Sequence, residues 1–245
     1  MSAYDVYAAE YQAGRTGYSH DLYNVLVGYG LSQRQRVLDV GCGNGLAGEP
    51  LIANDFQVTG VDISEPMLAH ARREFPDATW VVGRAEALPF EAGSFDAVVS
   101  AQALHHVERT QALQEMLRVL RPGGIVAIWW KHLMGDDPVK HVRDQALIDL
   151  GRAPAQAGLA GGFKEFYAAP FVDHRLRVIP WRVLVRLSKY LQYERSRSSI
   201  RALLGSQASE YFEALEARLR EMCGPDDPLV PLSYLHFLYL AKAPV

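Results

Sequence analysis

Cysteine is scarce: the 245 residues hold two, Cys42 and Cys223, far apart in sequence. That excludes a disulfide framework and the paired-cysteine spacing of a zinc site. No metal is expected, and the reducing cytoplasm is the expected compartment. Long apolar runs are missing too; none approaches the roughly 20 residues a membrane-spanning helix needs. The N-terminus lacks the basic-then-apolar pattern of an export signal, so no membrane partner is expected. Neither sign of charge dominates: 25 Lys and Arg face 28 Asp and Glu, a net of −3. That balance gives no global pull toward nucleic acid. What remains is an ordinary composition, 49% hydrophobic and 22% charged. It suits one large domain, or one domain with an elaborated cap.

The stretch Val37-Leu38-Asp39-Val40-Gly41-Cys42-Gly43-Asn44-Gly45 stands out. An apolar run of strand character breaks into alternate glycines, and a segment of helical character, 46–55, follows. Glycine tolerates positive φ and carries no Cβ. A ligand can therefore lie against bare backbone and turn a negative group toward the N–H groups of the helix N-terminus. Cys42, inside the turn, reads as a small buried side chain. Two nucleotide readings share these residues. Gly43, Gly45 and Gly48 satisfy the dinucleotide fingerprint, with Asp62 as the downstream acid. The other reading is Asp39 on the strand followed by Gly41, Gly43 and Gly45.

The rest of the chain separates them. Tyr23, Leu26 and Val27 have helix-face spacing ahead of the glycine strand. Residues 56–61 read as a second strand ending at Asp62, with Ser64 as N-cap and Pro66 in the first turn of the next helix. A third strand, 80–82, leads into Gly83-Arg84-Ala85-Glu86-Ala87-Leu88-Pro89-Phe90. Residues 94–100 form a buried-strand pattern followed by Ala101-Gln102-Ala103-Leu104-His105-His106-Val107. Leu113, Met116, Leu117 and Leu120 share a helix face, which Pro122-Gly123-Gly124 brings to a hard stop before an apolar fifth strand at 125–130. Regular βα units argue a parallel, doubly wound sheet with its ligand at the carboxyl ends of the strands.

Four of these segments, in this order, resemble the class I S-adenosylmethionine-dependent methyltransferases of the type-11 group. They are the turn at Asp39, the run 83–90, the strand and loop at 94–107, and the run 117–124 before the fifth strand. The resemblance covers about residues 11–130. It implies an α/β fold: a Rossmann-like, doubly wound, mostly parallel seven-stranded sheet with an antiparallel last strand and a helical substrate cap. It also implies S-adenosyl-L-methionine as cofactor, held by Asp39, Gly41, Gly43, Gly45 and Asp62. An acid at the end of strand two can accept hydrogen bonds from both ribose hydroxyls. The resemblance places Ile63 and Met67 beside the adenine, Ala85 with its N–H facing a ring nitrogen, and Glu86 as partner of the exocyclic amine. Arg84 stands where relatives carry an acid. Gln102 borders the methionine moiety. The tyrosine-rich lead-in, Tyr11 to Tyr18, resembles a segment whose arginine, here Arg15, closes over the cofactor carboxylate; Thr16 and Ser19 replace its prolines. Plain core packing competes with ligand contact at Ile63 and Met67.

His105 and His106 follow the fourth strand, near where the methyl group should point, and either could serve as general base. The competing reading is that the pair shapes the pocket or binds backbone.

The expected organisation is a single methyltransferase domain: a cofactor core at about 31–130, a substrate cap at about 131–228, and a last strand at about 229–243. Residues 174–181 read as a sixth strand interrupted by Pro180. Ala208, Tyr211, Phe212, Leu215, Leu219 and Met222 form a helical apolar face. From 174 to 201, eight basic residues (Arg175, Arg177, Arg182, Arg186, Lys189, Arg195, Arg197, Arg201) face one acid, Glu194. They read either as a solvated face or as holders of an anionic substrate. The expected activity is methyl transfer to a small molecule, with the acceptor atom and oligomeric state unread. The alternative is a cofactor-binding protein of the same fold with lost or repurposed chemistry, such as a rearrangement or cyclisation.

Overall fold

The computed structural model describes residues 16–154 and 162–245. Its hub is β1, Arg36–Val40, where Val37, Leu38 and Val40 are fully buried. A strand covered on both faces belongs in the middle of a parallel sheet. β2 (Gln57–Asp62) and β4 (Phe95–Ala101) flank it in parallel, with Val37 opposite both Val58 and Ala97. β3 (Thr79–Val82) joins β2, and β5 (Leu120–Leu133) joins β4, again in parallel. β6 (Val172–Arg186) and β7 (Leu229–Lys242) complete the order β3-β2-β1-β4-β5-β7-β6. β7 runs against β5: the Gly123 N–H donates to the Ala243 carbonyl, the Ala243 N–H to the Gly124 carbonyl, and the Met134 N–H to the Ser233 carbonyl, so one number rises as the other falls. The seven-stranded, mostly parallel sheet with an antiparallel last strand is the architecture expected.

Several local expectations shift. The helix expected at 46–55 shortens to α2, Glu49–Ile52, after α1 (His20–Tyr29). Gly45 takes φ +83°, and turn bonds from Gly45 to Cys42 and from Gly48 to Gly45 hold the segment in successive turns until Pro50 enters the helix's first turn. On α1 the buried residues are Leu22, Tyr23, Leu26 and Tyr29, while Val27 is 55% exposed. α3, Glu65–Glu74, starts as read, with Ser64 Oγ accepting the Met67 N–H at 3.4 Å and Pro66 in the first turn. α4, Arg109–Val119, stops before Pro122 as expected. β5 itself starts at Leu120, opposite Phe95, and makes an excursion over 121–124 before Ile125 pairs with Ala97. Pro180 does not interrupt β6, which lies at the sheet edge, where proline is tolerated in a strand.

Two compact units divide the described chain. One comprises 17–131, 162–179 and 236–245. It holds β1 to β4, α1 to α4 and α6 (Lys164–Ala168), around a core that includes Leu22, Leu26, Val37, Val99, Ala127, Trp129 and Leu238. The other comprises residue 16, 132–154 and 180–235. It holds α5 (Pro138–Asp149), α7 (Leu187–Ser196), α8 (Ser198–Leu204) and α9 (Ala208–Cys223). Its core includes Val139, Leu147, Leu187, Tyr190, Leu191, Tyr211, Leu215 and Leu219. On α9, Tyr211, Phe212, Leu215 and Leu219 are buried as the spacing predicts, and Met222 is not. β5, β6 and β7 contribute residues to both units.

Candidate functional site

The glycine turn adopts the conformation of only one of the two nucleotide readings. Gly41, Gly43 and Gly45 take φ of +68°, +54° and +83°, whereas Gly48 sits at an ordinary −76°. The three alternate glycines after Asp39 are therefore the positions that need glycine. Sterics agree. A Cβ on Gly41 would lie 2.4 Å from Ala103 Cβ, and one on Gly45 would lie 2.6 Å from the Trp80 ring. At Gly43 the nearest atom would be the flexible end of Met67, at 3.1 Å. Two of the three glycines thus serve close packing within the protein, and Gly43 has the roomiest surroundings of the three.

Two carboxylates frame this turn. Asp62, at the end of β2, accepts the Gly43 N–H through Oδ2 and the Ser64 N–H through Oδ1, both at 2.9 Å. Asp39 is fully buried, and neither of its oxygens has a hydrogen-bond partner among the described residues. Burial first, and the Asp62 charge second, push its carboxyl up to about 7 from an ordinary 3.8. A buried carboxylate with no donor invites a ligand that brings one, above all a cationic one.

The other candidates fall around this frame. Ile63, directly after Asp62, is 55% exposed, and Met67 is buried. Ala85 and Glu86 are half-buried in the segment where Arg84 bridges Ala87. Glu86 Oε1 accepts the Glu108 N–H at 3.3 Å and faces Arg84 at 3.5 Å, so protein groups already engage it. α4 pins the same segment: Glu115 Oε2 accepts the Leu88 N–H, and Arg118 donates to the Leu88 and Phe90 carbonyls. Arg15 lies outside the described residues.

The loop after β4 is stitched to β5. Gln102, in the left-handed region at φ +55°, donates its backbone N–H to the Trp129 carbonyl and its amide to the Lys131 carbonyl, both at 3.0 Å. Between them Trp130 Nε1 donates to His105 Nδ1 at 3.3 Å. His105 and His106 lie in a single turn of 3-10 helix, Leu104–His106, with exposed rings 3.8 Å apart. Sequence reading missed the β5 side of this arrangement, because 129–130 read only as apolar strand and Lys131 as the start of the cap. Lys131 also donates to the Gly17 carbonyl at 3.2 Å and sits over the Tyr18 ring, which docks the described end of the lead-in.

Several of the basic residues of 175–201 already have partners. Arg175 pairs with Asp173 at 3.1 Å, Arg195 with Glu216 at 3.1 Å, and Arg197 with Glu194 at 2.9 Å. Arg186 donates to the Asp227 carbonyl at 3.0 Å. Among the described residues, no helix is long and apolar enough to cross a membrane.

Comparison with known proteins supplies the wider context. A family profile described as a methyltransferase domain matches residues 38–128. An uncharacterized methyltransferase of Synechocystis is 37% identical over 155 residues, 56% of this chain and 73% of that protein. A demethylmenaquinone methyltransferase of Renibacterium salmoninarum is 44% identical over 95 residues. That match covers 38% of this chain and 40% of the relative, so it spans less than half the relative's length. Among solved structures, a putative type II methyltransferase from Anaeromyxobacter dehalogenans superposes with a TM-score of 0.74 at 22% identity, over 94% of this chain and 98% of that one.

Proposed function

This chain belongs to the class I S-adenosylmethionine-dependent methyltransferases, and we propose that it methylates a small molecule whose reacting atom lies beside the loop Gln102 to His106. The observation that carries this reading is the contact of Gly41 with Ala103, where a Cβ would have 2.4 Å. The glycine turn and the histidine loop touch, so a ligand in one borders the other.

The residues present fit the cofactor. Gly43 offers backbone whose nearest neighbour is the flexible end of Met67, Asp62 a carboxylate for ribose hydroxyls, and Asp39 a buried carboxylate that lacks a donor among the described residues. When bound, S-adenosylmethionine supplies an electrophilic methyl on a sulfonium whose thioether leaves neutral. Asp39 would favour that positive charge. Ile63 and Met67 would flank the base, with Ala85 and Glu86 at its edge, and Gln102 would border the methionine end. The loop is tied to β5 through Gln102 and His105, and holding a reactant in line can be worth about 7–11 kcal/mol of barrier.

One relative is named for demethylmenaquinone, so a reduced quinone is the first acceptor to try, followed by carboxylic acids. Incubation with methyl-labelled cofactor should move label into one of these or into a compound of a metabolite extract. Cofactor binding without any transfer would favour repurposed chemistry. No binding at all would refute the assignment of the site.

A further inference from the structure

We propose that Trp130 is a positioning residue that fixes His105 as a hydrogen-bond donor, so that the site takes an acceptor whose reacting oxygen is already anionic. This rests on the reading that the loop after β4 borders the acceptor, and it names the acceptor's chemistry and the histidine's role.

The indole N–H can only donate a hydrogen bond. Its 3.3 Å contact therefore makes His105 Nδ1 the acceptor. A neutral imidazole has one N–H and one bare nitrogen; with Nδ1 accepting, the proton sits on Nε2. Such a ring has no lone pair left to receive a substrate proton. Its one ring hydrogen is the Nε2–H, a donor.

The Trp130 indole is itself held. It is 6% exposed and packs edge-on against Phe163 at 5.1 Å and Tyr239 at 5.9 Å. The bonds from Gln102 to the Trp129 and Lys131 carbonyls fix the loop on either side of the contact. His105 would have to leave Trp130 before acting as a base, against this packing and these bonds.

Chemistry follows from the tautomer. A phenolate, enolate or carboxylate oxygen can accept the Nε2–H while another lone pair forms the oxygen–methyl bond. The methyl–sulfonium bond breaks as that bond forms. Negative oxygen and positive sulfur both become neutral, and no proton remains to be removed. An acceptor that needs deprotonation in place, such as an aliphatic alcohol, finds no base in His105.

Long-range proton–nitrogen NMR on the full chain reads the ring directly, without cofactor or turnover. At a pH where the ring is neutral, wild type should show the Nε2-protonated tautomer. Trp130→Phe keeps an aromatic ring, removes the N–H, and should mix the tautomers. In methyl transfer, His105→Ala should lose about 10²-fold, as for loss of one donor to a developing or existing oxyanion. His105→Gln restores an amide donor and should lose less than about tenfold. A wild-type ring protonated on Nδ1, or a glutamine variant as slow as the alanine one, would overturn the proposal. If Trp130→Phe fails to fold, the wild-type tautomer and the glutamine variant still decide. Absence of label transfer by wild type would sink the functional reading instead, leaving the NMR result standing alone.

Discussion

Asp62 Oδ2 accepts the Gly43 N–H at 2.9 Å, so the acid expected to hold a ribose also holds the glycine turn. Its other oxygen accepts the Ser64 N–H, at the start of α3. Asp62→Ala removes both roles at once. Hydrogen bonds to charged groups contribute about 1.5–3 kcal/mol each. Cofactor affinity should therefore fall by about ten- to a hundredfold. Titration calorimetry with S-adenosylmethionine and its demethylated product checks this, and an unchanged dissociation constant would count against the site.

Gly41→Ala tests the contact between the turn and the histidine loop. The position takes φ +68°, and an alanine Cβ there would overlap Ala103 Cβ at 2.4 Å. The left-handed region alone costs an alanine about 1–2 kcal/mol, and the overlap adds to it. Ala103→Gly removes the overlap and leaves the φ cost. In urea unfolding, the double variant should recover part of the stability lost by Gly41→Ala. Strict additivity would show that the two residues do not meet.

The sheet was legible because each strand writes its own pattern locally. Val37, Leu38 and Val40, like Val98 and Val99, are apolar and buried, and the glycines beside the first of these strands carry the turn in their spacing. Local patterns misjudged α1, where Val27 has helix-face spacing yet faces solvent, and 46–55, where the left-handed Gly45 delays the helix. The donor to His105 was unreadable, since Trp130 lies 25 residues away and its N–H leaves no mark on periodicity. Glu194 likewise read as a stray acid among arginines, whereas it is fully buried in the core of the second unit.

Asp39 should make the unliganded protein less stable at alkaline pH. Its carboxyl titrates near 7 in the fold against 3.8 ordinarily, so the folded state favours the protonated form. The associated stability is fully present below pH 3.8 and is lost as pH rises to about 7, where the charge must be buried. The shift of about 3 units corresponds to at most about 4 kcal/mol. Asp39→Asn keeps the shape without the charge. It should melt above wild type at pH 8, with the gap narrowing toward pH 5, and should bind S-adenosylmethionine more weakly. A pH-independent gap in melting temperature would place the stability effect elsewhere.

Glu194 decides what part of the basic stretch is structural. Both its oxygens accept from Arg197 Nη1, at 2.9 and 3.0 Å. The Tyr190 hydroxyl donates to it at 3.3 Å, and Arg143 stands 4.0 Å away. The Glu194 charge holds the Arg197 guanidinium firmly protonated despite its burial. Removing one partner of a buried pair leaves an uncompensated charge and costs about 3–5 kcal/mol. Arg197→Ala and Glu194→Ala should therefore lower stability by similar amounts, and a double variant replacing both by apolar residues should recover much of it. Arg177 and Arg182 are exposed and differ in kind. If the substrate is anionic and this stretch holds it, their alanine variants should raise its Michaelis constant while stability and cofactor affinity stay as in wild type. Urea unfolding beside steady-state kinetics separates the two groups. A raised Michaelis constant for Arg197→Ala with undiminished stability would move that arginine from the core of its unit to the substrate.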